Sequence, residues 1–95
     1  MQLIGLKLIA EFSKKHLKMR NALSVWVELV RDASWSNHSE LKSIFPSADY
    51  VGSNSYIFNI GGNKGRIYAV VVFKHGKVLI EWIGTHEEYN KKKFN

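Results

Sequence analysis

Cysteine is absent from the 95 residues, and proline occurs once, at Pro46. The first absence excludes disulfide staples, thiolate zinc sites and a cysteine nucleophile. The second leaves few fixed breaks, so turns must come from glycine and asparagine. Long apolar runs are missing too. The stretch from Ile67 to Phe73 falls well short of the roughly 20 residues a membrane-spanning helix needs. Lys7 and Glu11 interrupt the apolar N-terminal segment, so no secretory leader is expected. A protein of the cytoplasm, with no membrane partner, is the expectation. The four histidines show no paired metal spacing and no acidic cluster beside them, which argues against a metal site. No cofactor motif stands out either. Gly61-Gly62-Asn63-Lys64-Gly65 lacks the Walker pattern and joins two strands instead of opening a helix.

Acidic residues are the scarce charge. Eight Asp and Glu face fourteen Lys and Arg, a formal net charge of +6. The excess sits at the two ends, because residues 32–50 carry Asp32, Glu40 and Asp49 against Lys42 alone. A small basic surface attracts polyanions through counterion release, so nucleic acid is the first partner class to weigh against plain solubility charge.

An apolar fraction of 45% supports one modest core, and residues 1–95 read as a single domain. Leu3-Ile4 can add an edge strand. Helical spacing follows in two segments. The first carries Leu6, Ile9, Ala10 and Leu17, with Leu8 and Phe12 beside them. The second carries Ala22, Val25, Trp26, Leu29, Val30 and Ala33. A shorter helix over 40–45 presents Leu41, Ile44 and Phe45 as a plug, with Asn37 and Glu40 placed for a capping box. Beyond Pro46 the period changes to two. Tyr56, Phe58 and Ile60 alternate with Ile57 and Asn59, the run Arg66 to Phe73 is β-branched and aromatic, and Lys77 to Ile83 makes a third strand ending at Gly84. Thr85-His86-Glu87-Glu88 has the capping-box spacing of a short C-terminal helix or tail. The class is α+β: an N-terminal helical pair packed on an antiparallel sheet meander.

If Ile67, Ala69, Val71 and Phe73 face the helices, Arg66, Tyr68, Val70 and Val72 occupy the other face, with Asn59 near Arg66 across the hairpin. The third strand and the tail bring His86, Tyr89 and Lys91 toward the same end. Arg66, Lys64, His86 and Tyr89 can therefore converge from two segments on a phosphodiester. Attack of a ribose 2′-hydroxyl on its own phosphate needs a proton acceptor and charge stabilisation on the phosphoryl oxygens. His86 suits the proton transfer, Arg66 the two-point grip on phosphate, Tyr89 stacking or orientation, and Lys64 added positive charge. Asn59, Asn63, Lys91 and Lys92 are the additional RNA-binding candidates. Each residue type also has a structural use. Arg66 can pair with Glu81, His86 can merely begin a helix, Tyr89 can cap the core, and the terminal lysines can form a solvated tail. Trp26, Trp35 and Trp82 read as packing.

The segments Leu41-Lys42, Phe45-Pro46-Ser47-Ala48-Asp49, Phe58 to Lys64 with Arg66, and Gly84-Thr85-His86 with Glu88-Tyr89 resemble the HigB-type toxins of bacterial toxin–antitoxin pairs. The likeness extends from Leu3-Ile4 to Lys91. It implies a RelE-like fold with a concave face toward RNA and cleavage of mRNA in the ribosomal decoding site. It also implies a HigA-like antitoxin with a helix-turn-helix, through which alone operator DNA would be bound. In such toxins a strand arginine holds phosphate and a tyrosine near the C-terminus stacks or assists, positions matched by Arg66 and Tyr89, with His86 where several relatives place another basic group. Many of them have Asp after that tyrosine, and here Asn90 stands instead. The functional expectation is a metal-independent endoribonuclease of the ribosome, an mRNA interferase. The alternative is a non-catalytic RNA- or ribosome-binding module neutralised by a protein partner.

Overall fold

The computed structural model describes residues 1–92. Its elements follow in chain order as β1 (Gln2–Ile4), α1 (Leu6–Lys15), a 3-10 turn (Leu17–Met19), α2 (Arg20–Asp32), α3 (His38–Ile44), β2 (Asp49–Tyr50), β3 (Ser55–Ile60), β4 (Gly65–Val72), a 3-10 turn (Phe73–His75), β5 (Lys77–Thr85) and α4 (His86–Lys91). The strands form one sheet in the order β1-β5-β4-β3-β2. The meander β3–β4–β5 is antiparallel, while β1 adds to the far edge parallel to β5, which makes the sheet mixed. Connectivity permits a parallel edge, since all of α1 to β4 lies between β1 and its partner.

The helices cover one face of the sheet. Ile9 and Phe12 of α1, and Leu23, Trp26 and Val30 of α2, are buried against Tyr56, Phe58, Ile67, Ala69, Val71, Val78 and Ile80. The buried stripe of α2 is narrower than its apolar spacing suggests. Val25 and Leu29 are left 55% and 42% exposed, while Leu23, outside the expected stripe, is 1% exposed. The sheet covers only the arc centred on Trp26, and Leu23 and Val30 lie three and four positions from it on that arc. Leu17, similarly, is exposed, and its place in the core goes to Met19.

At the end of α2, Leu41 of α3 is fully buried and Phe45 is wedged among Trp26, Trp35 and Phe58, with ring centroids 6.5, 5.8 and 5.2 Å apart. This is the plug foreseen in the sequence, less Ile44, which stays open to solvent. Asn37 caps α3 by accepting from the Glu40 amide at 3.0 Å. The Glu40 carboxylate reaches back one residue further than a capping box requires, accepting from the Ser36 amide at 2.6 Å.

Strand β5 holds the feature that sets up the functional end. Tyr68 pairs with Trp82 but Ala69 pairs with Ile80, so Glu81 is the extra residue of a β-bulge. The bulge resets the alternation of β5: Val78 and Ile80 face the core before it and Ile83 after it, opposite Val71, Ala69 and Ile67. Arg66 pairs across the ladder with Gly84, three residues beyond Glu81. The Arg66–Glu81 ion pair therefore does not form. Gly84 does not end the strand, which runs on to Thr85 because the pairs Arg66–Gly84 and Gly65–Thr85 continue the ladder.

Candidate active site

Arg66 stands on the sheet face opposite the helices, between Asn59 of β3 and Gly84 of β5. It is 9% exposed, unusual for an arginine on an open sheet face. Three groups account for this. Its Nη1 donates to the Gly65 carbonyl at 3.2 Å, its Nη2 lies 2.8 Å from His86 Nδ1, and its guanidinium carbon sits 5.6 Å above the centre of the Tyr89 ring. The last geometry is a cation–π contact, worth about 0.5–2 kcal/mol according to how far the pair is desolvated. No carboxylate of the described residues pairs with Arg66; the ion pairs there are Lys7–Glu11 and Lys91–Glu87. The charge is thus gathered against a carbonyl, an imidazole and a phenol ring, with N–H donors to spare for an incoming anion.

Helix α4 delivers His86 and Tyr89, and its start is fixed twice. Thr85 Oγ1 accepts from the Glu88 amide at 3.1 Å while Glu88 Oε1 accepts from the Thr85 amide at 2.8 Å, a complete capping box. The hydrogen bond from the Thr85 amide holds the Glu88 carboxyl below the usual glutamate range, against a smaller opposing effect of burial. The His86 amide then donates to the Lys64 carbonyl at 2.9 Å, tying the helix to the β3–β4 turn. Tyr89, one turn on, lies against Trp82 with ring centroids 6.4 Å apart.

Two glycines make the packing possible. A Cβ on Gly84 would stand 2.4 Å from the Trp82 ring, and one on Gly65 would stand 2.3 Å from Met19 Cε. Any larger residue at Gly84 would push away the ring that backs Tyr89.

The other anticipated residues are dispersed around this cluster. Lys64 and Asn63 are exposed in the turn 61–64, Lys64 joining the cluster through its main chain. Asn59 is partly buried and donates to the Ser47 carbonyl at 3.3 Å, which ties down the loop before β2. Lys91 is exposed and lies 3.6 Å from Glu87, and Lys92 is exposed just beyond α4. Two contributors were not among the anticipated site residues. Trp82 supports Tyr89, which depends on the bulge at Glu81. Asn90 Nδ2 lies 3.3 Å from His86 Nε2, a contact its i, i+4 spacing from His86 would have revealed. Among the described residues no three His, Asp or Glu side chains converge as a metal site would require, and no helix is long and apolar enough to cross a membrane.

A helix-backed mixed sheet that presents a sequestered guanidinium, an imidazole and a phenol at one end, with no carboxylate of the described residues paired to the guanidinium, defines a small α+β protein. Residues 19–92 match the HigB toxin family, described as the RelE-like toxic component of a toxin–antitoxin system. The chain belongs to that family. It is 31% identical over 93 residues to the mRNA interferase toxin HigB of Escherichia coli (strain K12), covering 95% of this chain and 88% of the relative. The mRNA interferase HigB of Shigella flexneri shows the same figures. That of Escherichia coli O6:H1 is 25% identical over 93 residues, covering 96% of this chain and 90% of its own length.

Proposed function

We propose that this toxin is an mRNA interferase that cleaves translated mRNA in the decoding site of the ribosome, and that a HigA-like helix-turn-helix antitoxin neutralises it in the cytoplasm. Operator DNA would be bound only through that antitoxin. The observation that carries the reading is Arg66, held by His86 and Tyr89 with no carboxylate of the described residues paired to it. The names of the relatives agree with it.

In this reading Arg66 takes the phosphate oxygens in a two-point grip and stabilises the charge that builds on them. His86 removes the 2′-hydroxyl proton as the 2′ oxygen bonds to phosphorus. The bond from phosphorus to the 5′ oxygen breaks, and that oxygen takes a proton from water. The product is a 2′,3′-cyclic phosphate. Tyr89 supports the guanidinium from below and offers its ring edge to a base. Lys64 at the turn adds positive charge, and Asn59, Asn63, Lys91 and Lys92 contribute contacts to the RNA around it.

The test is cleavage of an mRNA on programmed ribosomes by the purified chain, with the ends analysed chemically. Cyclic phosphate or 3′-phosphate ends that vanish with Arg66→Ala are expected. Salt-dependent ribosome binding without any cleavage would replace the enzyme with a non-catalytic binding module.

A further inference from the structure

His86 lies between two partners whose chemistry is unequal. Arg66 is a donor at every accessible pH, so the contact of its Nη2 with His86 Nδ1 requires a lone pair on that nitrogen. An imidazolium, or a neutral ring protonated at Nδ1, would set two donors against each other. The ring in this site is therefore neutral, with its proton on Nε2. That N–H points at the Asn90 amide, 3.3 Å away. An amide nitrogen there would oppose it, whereas the amide rotated by half a turn exchanges its nitrogen for its carbonyl oxygen and offers that oxygen as the acceptor.

The arrangement has a consequence when a phosphate arrives. A phosphate oxygen is a far stronger acceptor for guanidinium than a neutral imidazole, so RNA draws the Arg66 N–H away from Nδ1. The freed lone pair is the one positioned to take the 2′-hydroxyl proton. The ring has then lost the partner that fixed its tautomer, and only Asn90 still holds it. We propose that Asn90 is a positioning residue: its side-chain oxygen accepts from His86 Nε2, keeping the proton on that nitrogen and Nδ1 open as the base during the exchange of Arg66 from histidine to phosphate. The catalytic part of this inference rests on the cleavage reading above; the hydrogen-bond part does not.

The two parts are tested separately in the full-length chain with nitrogen-15-labelled histidine, at a pH where the ring is neutral. Side-chain spectra report which ring nitrogen bears the proton. Because Arg66 and Asn90 hold the ring from opposite sides, Arg66→Ala should retain the Nε2–H form alone, and Arg66→Ala combined with Asn90→Ala should show both tautomers. In cleavage assays Asn90→Ala should lose about tenfold in the rate on the ribosome, part of the 10²–10⁴ that acid–base catalysis contributes, with ribosome affinity unchanged. Asn90→Asp, whose carboxylate also accepts from Nε2–H, should restore most of that rate. Identical spectra for the single and double variants would overturn the proposal, and so would a parental rate in Asn90→Ala. If the parent chain itself does not cut mRNA, the cleavage reading fails and the spectra alone decide what Asn90 does.

Discussion

The main-chain N–H of His86 donates to the carbonyl of Lys64 across 2.9 Å, so the first residue of α4 and the last residue of the β3–β4 turn are hydrogen-bonded to each other. Two segments more than twenty residues apart in the chain therefore place the site together. The imidazole reaches Arg66 because the peptide behind it is fastened to the residue two before Arg66.

That fastening depends on the cap that starts α4. Thr85→Ala removes the acceptor for the Glu88 amide and should cost about 1 kcal/mol of stability. For a domain of this size the loss corresponds to a fall in melting temperature of roughly 4–8 °C. Amide exchange should rise in α4 before it rises in β4. Unchanged exchange at Glu88 and Tyr89 would show that the cap does not hold the helix.

The carboxylate half of the cap makes a pH prediction. Glu88 titrates below the usual glutamate range in the folded protein, so the unfolded chain binds more protons in moderate acid and folding stability falls as pH falls. The contribution is fully present above the ordinary glutamate value and is lost as pH drops through the lower folded value. Denaturant unfolding of Glu88→Gln should accordingly be less stable than the parent near neutrality and converge with it in acid. Parallel profiles for the two proteins would assign the acid limb to other carboxylates.

At Arg66 geometry should outweigh charge. Arg66→Lys keeps the positive sign but loses the planar fork that meets Gly65 and His86 and can grip phosphate at two points, and should lower single-turnover cleavage by about 10²-fold or more. Ribosome binding should change far less, since one of many cationic contacts is conserved in sign. Equal rates for the two proteins would reduce Arg66 to a point charge.

Gly84→Ala tests the packing beneath Tyr89. The added methyl stands 2.4 Å from the Trp82 ring, which must move, and overpacking of this kind costs about 1–3 kcal/mol. Displacing the ring also removes the backing of Tyr89, so cleavage should fall by more than the stability loss accounts for at a temperature where both proteins are folded. A fully active Gly84→Ala would show that Trp82 is not needed behind Tyr89.

Much of this architecture was legible from local pattern. Alternation located β3 and β4, the spacing of Thr85 and Glu88 announced α4, and the side of β4 that bears Arg66 followed from the apolar residues between. The arc of α2 that is buried was not legible, because Val25 and Leu29 satisfy a helical spacing as well as Leu23 does. Only the width of the sheet behind them chooses. The parallel pairing of β1 was equally hidden, since a three-residue edge strand carries no mark of direction. In the site, the meeting of Arg66, His86 and Tyr89 could be anticipated from strand order, but the support from Trp82 could not. It depends on one extra residue in β5, and Glu81 in sequence looks like any exposed strand glutamate.

That extra residue divides β5 into two stretches that answer to different neighbours. The residues before Glu81 are keyed to β1 and the helices, those after it to Arg66 and α4, and the bulge is a phase slip between them. A side chain can be exchanged on one side without rotating the other, whereas drawing Glu81 into the regular pleat would turn Trp82 and Gly84 to the helical face and set Ile83 opposite Arg66. The strand tolerates spelling changes but not a frameshift in its pleat.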